Sequence, residues 1–350
     1  MAAFTYTVSK NGTTIQNVQE ISWTMGRRLV TDQLSSSRYR ISGRMPTSLP
    51  TINIDDTIKI DWGVSYFELL VADFEIIYGI NSNADIWVIT GEDALAKLGR
   101  SEITMNLSSD VAGSLLNVEA ATGVVFTPRF GSAGTQVQTI SNTNALEIVS
   151  KLFTTEMASN ISVTTTNVFW NTRGLAGILP LPGPTATDQT PGVNEWKYDG
   201  LTFGGLADNY ATKVIATSAG VGTATAGTGT RTYSLTTYNS STSYLASVAQ
   251  MYAGYLGNFS VAPDTISFLA ESQTTTPLDL YAVDLSFVRR PVLTIKFRGV
   301  NYYAVTIGMT VTATPSSTRL TYNLAPSQAL SYFILNSTSR GVLNQNRLGF

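Results

Sequence analysis

The 350-residue chain contains no cysteine and no histidine. Without cysteine it can form no disulfide and offers no thiolate ligand to a metal. Without histidine it lacks the commonest general base and the commonest metal ligand, so histidine-dependent triads and histidine-ligated zinc are excluded. We expect no cofactor, no metal site and no catalytic residues. Asp or Glu could still catalyse a reaction without histidine, but we expect that the protein is not an enzyme.

Charged residues are also scarce. They make up 13% of the chain, about half of the roughly 25% that is usual in soluble proteins. Because a free monomer normally carries more surface charge, the deficit favours a protein that assembles with others. The net charge of −2 provides no basic field, so we expect no sequence-specific binding to nucleic acid.

The chain lacks a long apolar run. The nearest candidate, 62–80, is interrupted by Glu68, Asp73 and Glu75, which excludes a membrane-spanning helix there. The first residues show neither a basic segment nor an apolar segment of the secretory type. We expect a protein made in a cytoplasm and without a membrane anchor.

Alternating apolar and polar residues dominate 18–98, where four such segments precede one short helix at about 90–99. This pattern predicts a small antiparallel barrel or sheet closed by a helix. In one segment Arg38, Arg40 and Arg44 share a face, while Tyr39 and Ile41 point toward a core.

Further elements follow from spacing and capping residues. Helices are predicted at 143–157, 201–213 and 243–256, and a linker at 171–192 because of its prolines and glycines. Residues 100–140 are predicted to be mixed and partly extended. Later strands are predicted at 265–269, 292–298, 305–314 and 318–324.

Several motifs in this order resemble the bacteriophage minor tail proteins of the tail-hub, or baseplate-hub, family. The resemblance covers roughly the first 160 and the last 110 residues. The N-terminal motifs are Gly26-Arg27-Arg28 with Asp32, Arg40-Ile41 with Arg44, Asp56 with Ile58 and Ile60, and Asp93-Ala94-Leu95 with Leu98. The C-terminal motifs are Phe333-Ile334-Leu335-Asn336 and the closing residues from Gly341 to Phe350.

The resemblance implies a mainly β chain with a few short α-helices, an α+β class, containing tail-tube-like β-barrel domains with an inserted helical and loop region. The implied segments are an N-terminal tail-tube-like barrel (1–100), a mixed α/β hub domain (101–180), a loop-rich region with one helix (181–243), a second β-rich hub domain (244–330) and a C-terminal assembly tail (331–350).

The resemblance also implies a structural role in the virion, at the tail tip. The chain would form a homo-oligomeric ring, with a trimer favoured over a hexamer, and would contact the tail tube protein, the tape-measure protein and other tail-tip or fibre proteins. Two alternatives remain open at this point. One is an adhesin that binds a receptor or carbohydrate through 170–243, and the other is a cell-wall hydrolase that uses Asp or Glu.

Two groups of residues are candidates for subunit contacts. The first group consists of the arginines Arg27, Arg28, Arg38, Arg40 and Arg44. Their side chains could clamp carboxylates of a neighbouring subunit, or they could form hairpin ion pairs with Asp55, Asp56 and Asp61.

The second group lies in the tail, whose apolar residues would be a liability if they were left in water. The tail could fold back on its own domain or dock on a neighbouring subunit, and we favour docking. The candidates are Phe333, Leu335, Val342, Leu343, Arg347, Leu348 and Phe350.

Overall fold

The computed structural model describes residues 6–29, 31–46, 49–62, 66–80, 84–127, 133–171, 182–204, 210–257, 262–273, 278 and 292–326. Strands account for 52% and helices for 19% of the described residues. The predicted class, mainly β with a few short helices, is confirmed.

The strands are numbered along the chain. They are β1 (Thr7–Lys10), β2 (Thr13–Thr14), β3 (Val18–Gly26), β4 (Arg38–Arg44), β5 (Thr57–Asp61), β6 (Tyr66–Ile77), β7 (Ile86–Glu92), β8 (Glu102–Asn106), β9 (Val125–Thr127), β10 (Thr139–Asn144), β11 (Ser159–Val163), β12 (Asn167–Asn171), β13 (Pro182–Thr187), β14 (Glu195–Lys197), β15 (Gly200–Gly204), β16 (Lys213–Ser218), β17 (Gly222–Gly227), β18 (Thr232–Thr237), β19 (Ala262–Leu269), β20 (Val292–Phe297), β21 (Val300–Thr314) and β22 (Ser317–Pro326). The α-helices are α1 (Ala94–Arg100), α2 (Val111–Thr122), α3 (Ala145–Glu156) and α4 (Thr242–Leu256).

One sheet of 14 strands joins the first hundred residues to the end of the described chain. Its main order is β14-β13-β20-β21-β3-β4-β7-β6-β5-β1-β2, and β22, β19 and β15 extend from β21 on another path. The long strand β21 is the junction, because it pairs with β20, β22 and β3. Its pairing with β3 is antiparallel and runs from Gly308 opposite Gly26 to Ala313 opposite Ile21.

The barrel closure that the sequence predicted is not found, since the described strands form no closed barrel. One edge of β3 pairs with β4, and its other edge pairs with β21. Both hydrogen-bonding edges of β3 are therefore occupied, and the sheet continues past it. The periodicity of 18–98 could not reveal a partner strand almost 300 residues away.

Aromatic side chains fill the core of the large sheet. The ring of Trp23 lies 5.3 Å from that of Trp62 and 4.9 Å from that of Phe67, between centroids. Tyr39 and Trp87 are buried beside them in the same core. Burial of side chains this large is a major source of stability.

Helices α1, α2 and α3 form a second core with the short strands β8 to β12. The start of α3 is as predicted, since the Asn144 side chain accepts from the backbone N–H groups of Leu146 and Glu147. Helix α2 is absent from the sequence-based prediction. It begins at the cap Asp110 and ends at Gly123, which has a left-handed φ of 71°.

A third core lies between α4 and the small sheet β17-β16-β18. The helix predicted at 243–256 is confirmed as α4. It packs Leu245 and Val248 against the same core as Val214 and Ala216 of β16. The serine- and threonine-rich stretch after residue 215 thus includes two strands, β17 and β18, that flank a buried central one.

Three other local predictions need correction. The helix predicted at 201–213 is wrong for the described residues, because Gly200–Gly204 is a strand paired with β19. The helix predicted at 90–99 is α1, which starts later; Thr90 belongs to β7 and Asp93 is the cap. Part of the predicted linker at 171–192 is β13, which pairs with β14 and β20.

The domain limits near residues 100, 180, 243 and 330 stay predictions. The assembly tail at 331–350 lies outside the described residues.

Candidate assembly surfaces

Three of the candidate arginines lie on the outer face of β4. Arg38, Arg40 and Arg44 are exposed, whereas Tyr39 and Ile41 between them are buried. The alternation of a strand places these three guanidinium groups on one side of the sheet. This face carries three like charges within seven residues.

The neighbours of these arginines are mostly hydroxyl residues. Arg38 lies opposite Thr24 on β3 and Glu92 on β7, and Glu92 forms an ion pair with Arg100. Thr24 in turn contacts Thr310 of β21, with 3.3 Å between the two hydroxyl oxygens. The outer face thus continues from β4 across β3 to β21 as a polar surface.

The ion pairs predicted between these arginines and the aspartates near β5 do not follow from the strand order. Strand β5 is separated from β4 by β6 and β7, which is roughly 14 Å at the usual strand spacing. Asp56 instead contacts Lys10 at 2.5 Å between Nζ and Oδ2, and this hydrogen bond lowers the pKa of Asp56. Asp61 contacts Lys59 at 2.7 Å.

Arg27 and Arg28 lie apart from the other three arginines, at the turn after β3. The backbone N–H of Arg28 donates to the Asp32 carboxylate at 3.1 Å, and its side chain is exposed. Arg27 is half-buried, and its backbone N–H donates to the carbonyl of Ile307 at 2.7 Å. The five candidates therefore form no single cluster.

The side chain of Arg27 lines a cleft of about 370 Å³. The cleft lies between the turn at 31–34, helix α3 and strand β18, with one residue from α4. Sequence reasoning missed this site because its walls come from four distant segments, and the motif that contains Arg27 and Asp32 marks only one of them. Its polar lining includes Arg27, Asp32, Glu147, Lys151, Tyr233 and Tyr252.

Two tyrosines stack in this cleft, with 5.9 Å between the ring centroids of Tyr233 and Tyr252. Burial raises the pKa of Tyr233 to about 12 and also raises the pKa of Tyr252. Both phenols therefore stay neutral at physiological pH. Lys151 and Glu147 of α3 form an ion pair at 2.6 Å.

An apolar hairpin tip is a second surface that sequence reasoning missed. At the end of β6 the side chains of Ile77, Tyr78 and Ile80 are 50%, 77% and 105% exposed. No charged residue stands between Glu75 and Asp85. The available signal was the run of consecutive apolar residues at 76–78, where alternation stops. Exposed apolar groups of this kind mark interaction sites.

The described residues hold no group of three or more potential metal-ligating Asp or Glu residues. In the same part of the chain, none of the helices combines the length and apolar character needed to cross a membrane. The tail candidates, from Phe333 to Phe350, lie outside the described residues.

Solved structures that share this architecture are phage tail proteins and a related secretion protein. A tail protein from Neisseria meningitidis MC58 matches with a TM-score of 0.64 and 10% identity, over 93% of this chain and 97% of that chain. The 43 kDa tail protein of prophage MuSo2 from Shewanella oneidensis matches with a TM-score of 0.60 and 11% identity, over 93% and 98%.

The E. coli c3393 protein, a type VI secretion component described as structurally similar to the T4 tail proteins gp27 and gp5, matches with a TM-score of 0.51 and 12% identity, over 92% of this chain and 77% of that chain. No protein-family model and no curated protein matches the sequence. The chain has the fold of phage tail proteins.

Proposed function

We propose that this protein is a structural component of a phage tail tip. The observation that carries the proposal is the extent of the structural match, which spans 93% of this chain and 97–98% of two phage tail proteins. A likeness of this extent involves the whole architecture, including the sheet that joins both ends of the described chain. The low charge of the sequence agrees with a protein that buries much of its surface in an assembly.

Within the tail tip, the protein assembles as a ring that caps the tail tube. The ring is a trimer in preference to a hexamer, and it connects the tube and the tape-measure protein to fibres or other tip proteins. A closed ring needs two different complementary surfaces on each copy. In this proposal the arginine face of β4 contacts acidic groups of one neighbour, and the apolar tip after β6 contacts an apolar surface of another.

The protein acts without catalysis in this proposal, and its role in DNA ejection is to keep an open path along the tail axis. The ring is built after synthesis in the host cytoplasm and becomes part of the virion. Phage particles with this protein labelled, imaged by electron microscopy, test the location. Label at the tail tip supports the proposal, whereas label along the fibres or no label contradicts it.

The tail supplies a further contact in this proposal by docking on a neighbouring subunit. Removal of residues 337–350 should prevent incorporation into particles while the remaining chain stays folded by circular dichroism. Normal incorporation of the shortened chain would contradict docking.

Four large aromatic residues of 170–243 give no support to the carbohydrate-binding alternative. Among the described residues of that segment, Trp170, Trp196, Tyr198 and Tyr238 are buried, at 1%, 2%, 9% and 8% exposure. A sugar platform needs an exposed ring face, which these four side chains do not offer.

A further inference from the structure

The cleft between β18 and α3 runs along the edge of a strand. Four consecutive residues of β18, 233–236, line it. Successive side chains of a strand point to opposite faces of its sheet. Four consecutive residues can therefore line one cleft only where the cleft runs along the edge of the strand. Among the described strands, β18 pairs with β16 on one side and with none on the side of the cleft.

Alternate backbone groups at this edge of β18 point away from its partner strand β16. The N–H of Tyr238 donates to the hydroxyl of Thr155 at 2.8 Å, and its carbonyl accepts from the N–H of Gln136 at 2.8 Å. Both bonds lead away from β16. Because the hydrogen-bonding direction of a strand alternates with each residue, Thr236 and Ser234 also direct their N–H and carbonyl groups away from β16.

The walls of the cleft suit an uncharged, partly apolar segment. The charges of Arg27 and Lys151 balance those of Asp32 and Glu147, so the lining has no net charge. Leu34 and Leu235 supply apolar contacts.

One segment of this chain has matching chemistry. Residues 320–339 contain no charged side chain, and Tyr332-Phe333-Ile334-Leu335 within them is rich in residues that favour strands. The described chain also ends near the cleft, since the Asn323 side chain donates to the carbonyl of Arg27 at 3.2 Å. Five residues after Pro326 can span up to about 17 Å.

We propose that the cleft is a strand-accepting groove and that residues 331–336 of the C-terminal segment are its occupant. The segment adds a strand to the edge of β18, with main-chain hydrogen bonds to Ser234 and Thr236 and apolar contacts to Leu34 and Leu235. This mode of recognition is β-augmentation, in which backbone pairing gives affinity and pockets for alternate side chains give specificity.

Cysteine trapping tests the proposal cleanly because the full chain has no cysteine of its own. Ser234→Cys is combined with a cysteine at each position from 331 to 336 in turn, and disulfides formed under mild oxidation are mapped by mass spectrometry. We expect high yields at alternate positions only. Thr223→Cys, on the exposed edge strand β17 of the same sheet, is the control and should give no disulfide. Equal yields with both partners, or none with Ser234→Cys, would overturn the proposal.

A second pair of variants tests the backbone contact itself. Here Thr236→Cys replaces Ser234→Cys as the partner for disulfide formation with the segment. Ser234→Pro removes one backbone N–H on the side of the cleft and leaves the hydrogen bonds to β16 in place. Loss of one such bond should lower the disulfide yield by about tenfold, and Ser234→Ala should leave it unchanged. An unchanged yield in a folded Ser234→Pro variant would argue against strand pairing.

The copy that supplies the segment is determined by mixing chains that each carry a single cysteine. Disulfides between chains support both the groove and the docking of the tail on a neighbouring subunit. Disulfides found only within a doubly substituted chain support the groove and contradict the docking of Phe333 and Leu335 on a neighbouring subunit. The experiments can therefore contradict the groove proposal without contradicting the proposed assembly, and the reverse.

Discussion

Two glycines carry the contact between the beginning and the end of the described chain. Gly26 of β3 lies opposite Gly308 of β21, and Gly26 has a left-handed φ of 79°. A Cβ at Gly308 would lie 2.2 Å from the carbonyl oxygen of Arg27. The two strands approach so closely that neither position has room for a side chain.

Replacement of one of these glycines should therefore weaken the whole sheet. For Gly308→Ala we expect the free energy of unfolding to fall by about 1–3 kcal/mol, the usual cost of overpacking. Gly99→Ala is the control, since its Cβ would meet no atom closer than 3.7 Å and the residue lies in α1; it should stabilise by about 0.5–1 kcal/mol. Urea unfolding of both variants checks this, and equal effects would contradict the steric argument.

At the scale of elements, helix α1 depends on one buried carboxylate. Asp93 caps the helix by accepting from the N–H of Leu95 at 3.0 Å, and it also accepts from the N–H of Ser37 at 2.9 Å. Burial raises the pKa of Asp93 to about 6, although these hydrogen bonds act in the opposite direction. At a pH between the ordinary pKa of about 4 and about 6, the Asp93 carboxyl group is therefore protonated in the folded protein but ionised in the unfolded chain.

The stability that Asp93 contributes should depend on pH. This stabilisation is fully present below the ordinary pKa of about 4 and is lost as the pH rises toward 6. A pKa shift of about two units corresponds to a change of about 3 kcal/mol in the free energy of unfolding. Asp93→Asn keeps a capping oxygen but cannot titrate. The difference in unfolding free energy between native protein and variant, measured by urea from pH 4 to 7, should decline across this range. A constant difference would disprove the shifted pKa.

In the proposed assembly, the exposed residues of the hairpin tip after β6 contribute to contacts between chains rather than to folding. Ile77→Thr with Ile80→Ser should reduce self-association and leave the unfolding free energy within about 0.5 kcal/mol of the native value, as is usual for exposed positions. Ile54→Ser is the control, because Ile54 is 59% exposed and lies before β5, outside the tip. Light scattering after gel filtration measures the effect, and equal association of both variants would exclude the tip as a contact.

At the scale of the whole molecule, the outer face of β4 is a basic surface that we propose for assembly. Arg38→Gln, Arg40→Gln and Arg44→Gln combined should shift the ring toward monomers, and high salt should do the same to the native protein because it screens exposed charges. Arg231→Gln, an exposed arginine before β18, is the control. Ring formation that is insensitive to both salt and the triple substitution would exclude this face.

Elements with strong local signals could be predicted from the sequence. Helix α3 has a capping asparagine and α4 a regular apolar stripe, so both were located. Helix α2 was missed because its alanine, glycine and serine residues give a weak amphipathic pattern. The stretch from Leu201 also fits helical spacing, but pairing with β19 makes it a strand. Tertiary contacts override local propensity in such cases.

The sequence by itself determined the alternating strands of 18–98, the outward face of β4, and the exclusion of cysteine and histidine chemistry, because these depend on composition and on the period of a single strand. Only the tertiary structure decided that the sheet stays open, that Arg27 lines a cleft, and that the edge of β18 faces that cleft. Each of these depends on which distant strands and helices become neighbours. Strand pairing between residues hundreds of positions apart leaves no local pattern, since any β-strand offers the same backbone hydrogen bonds to many partners.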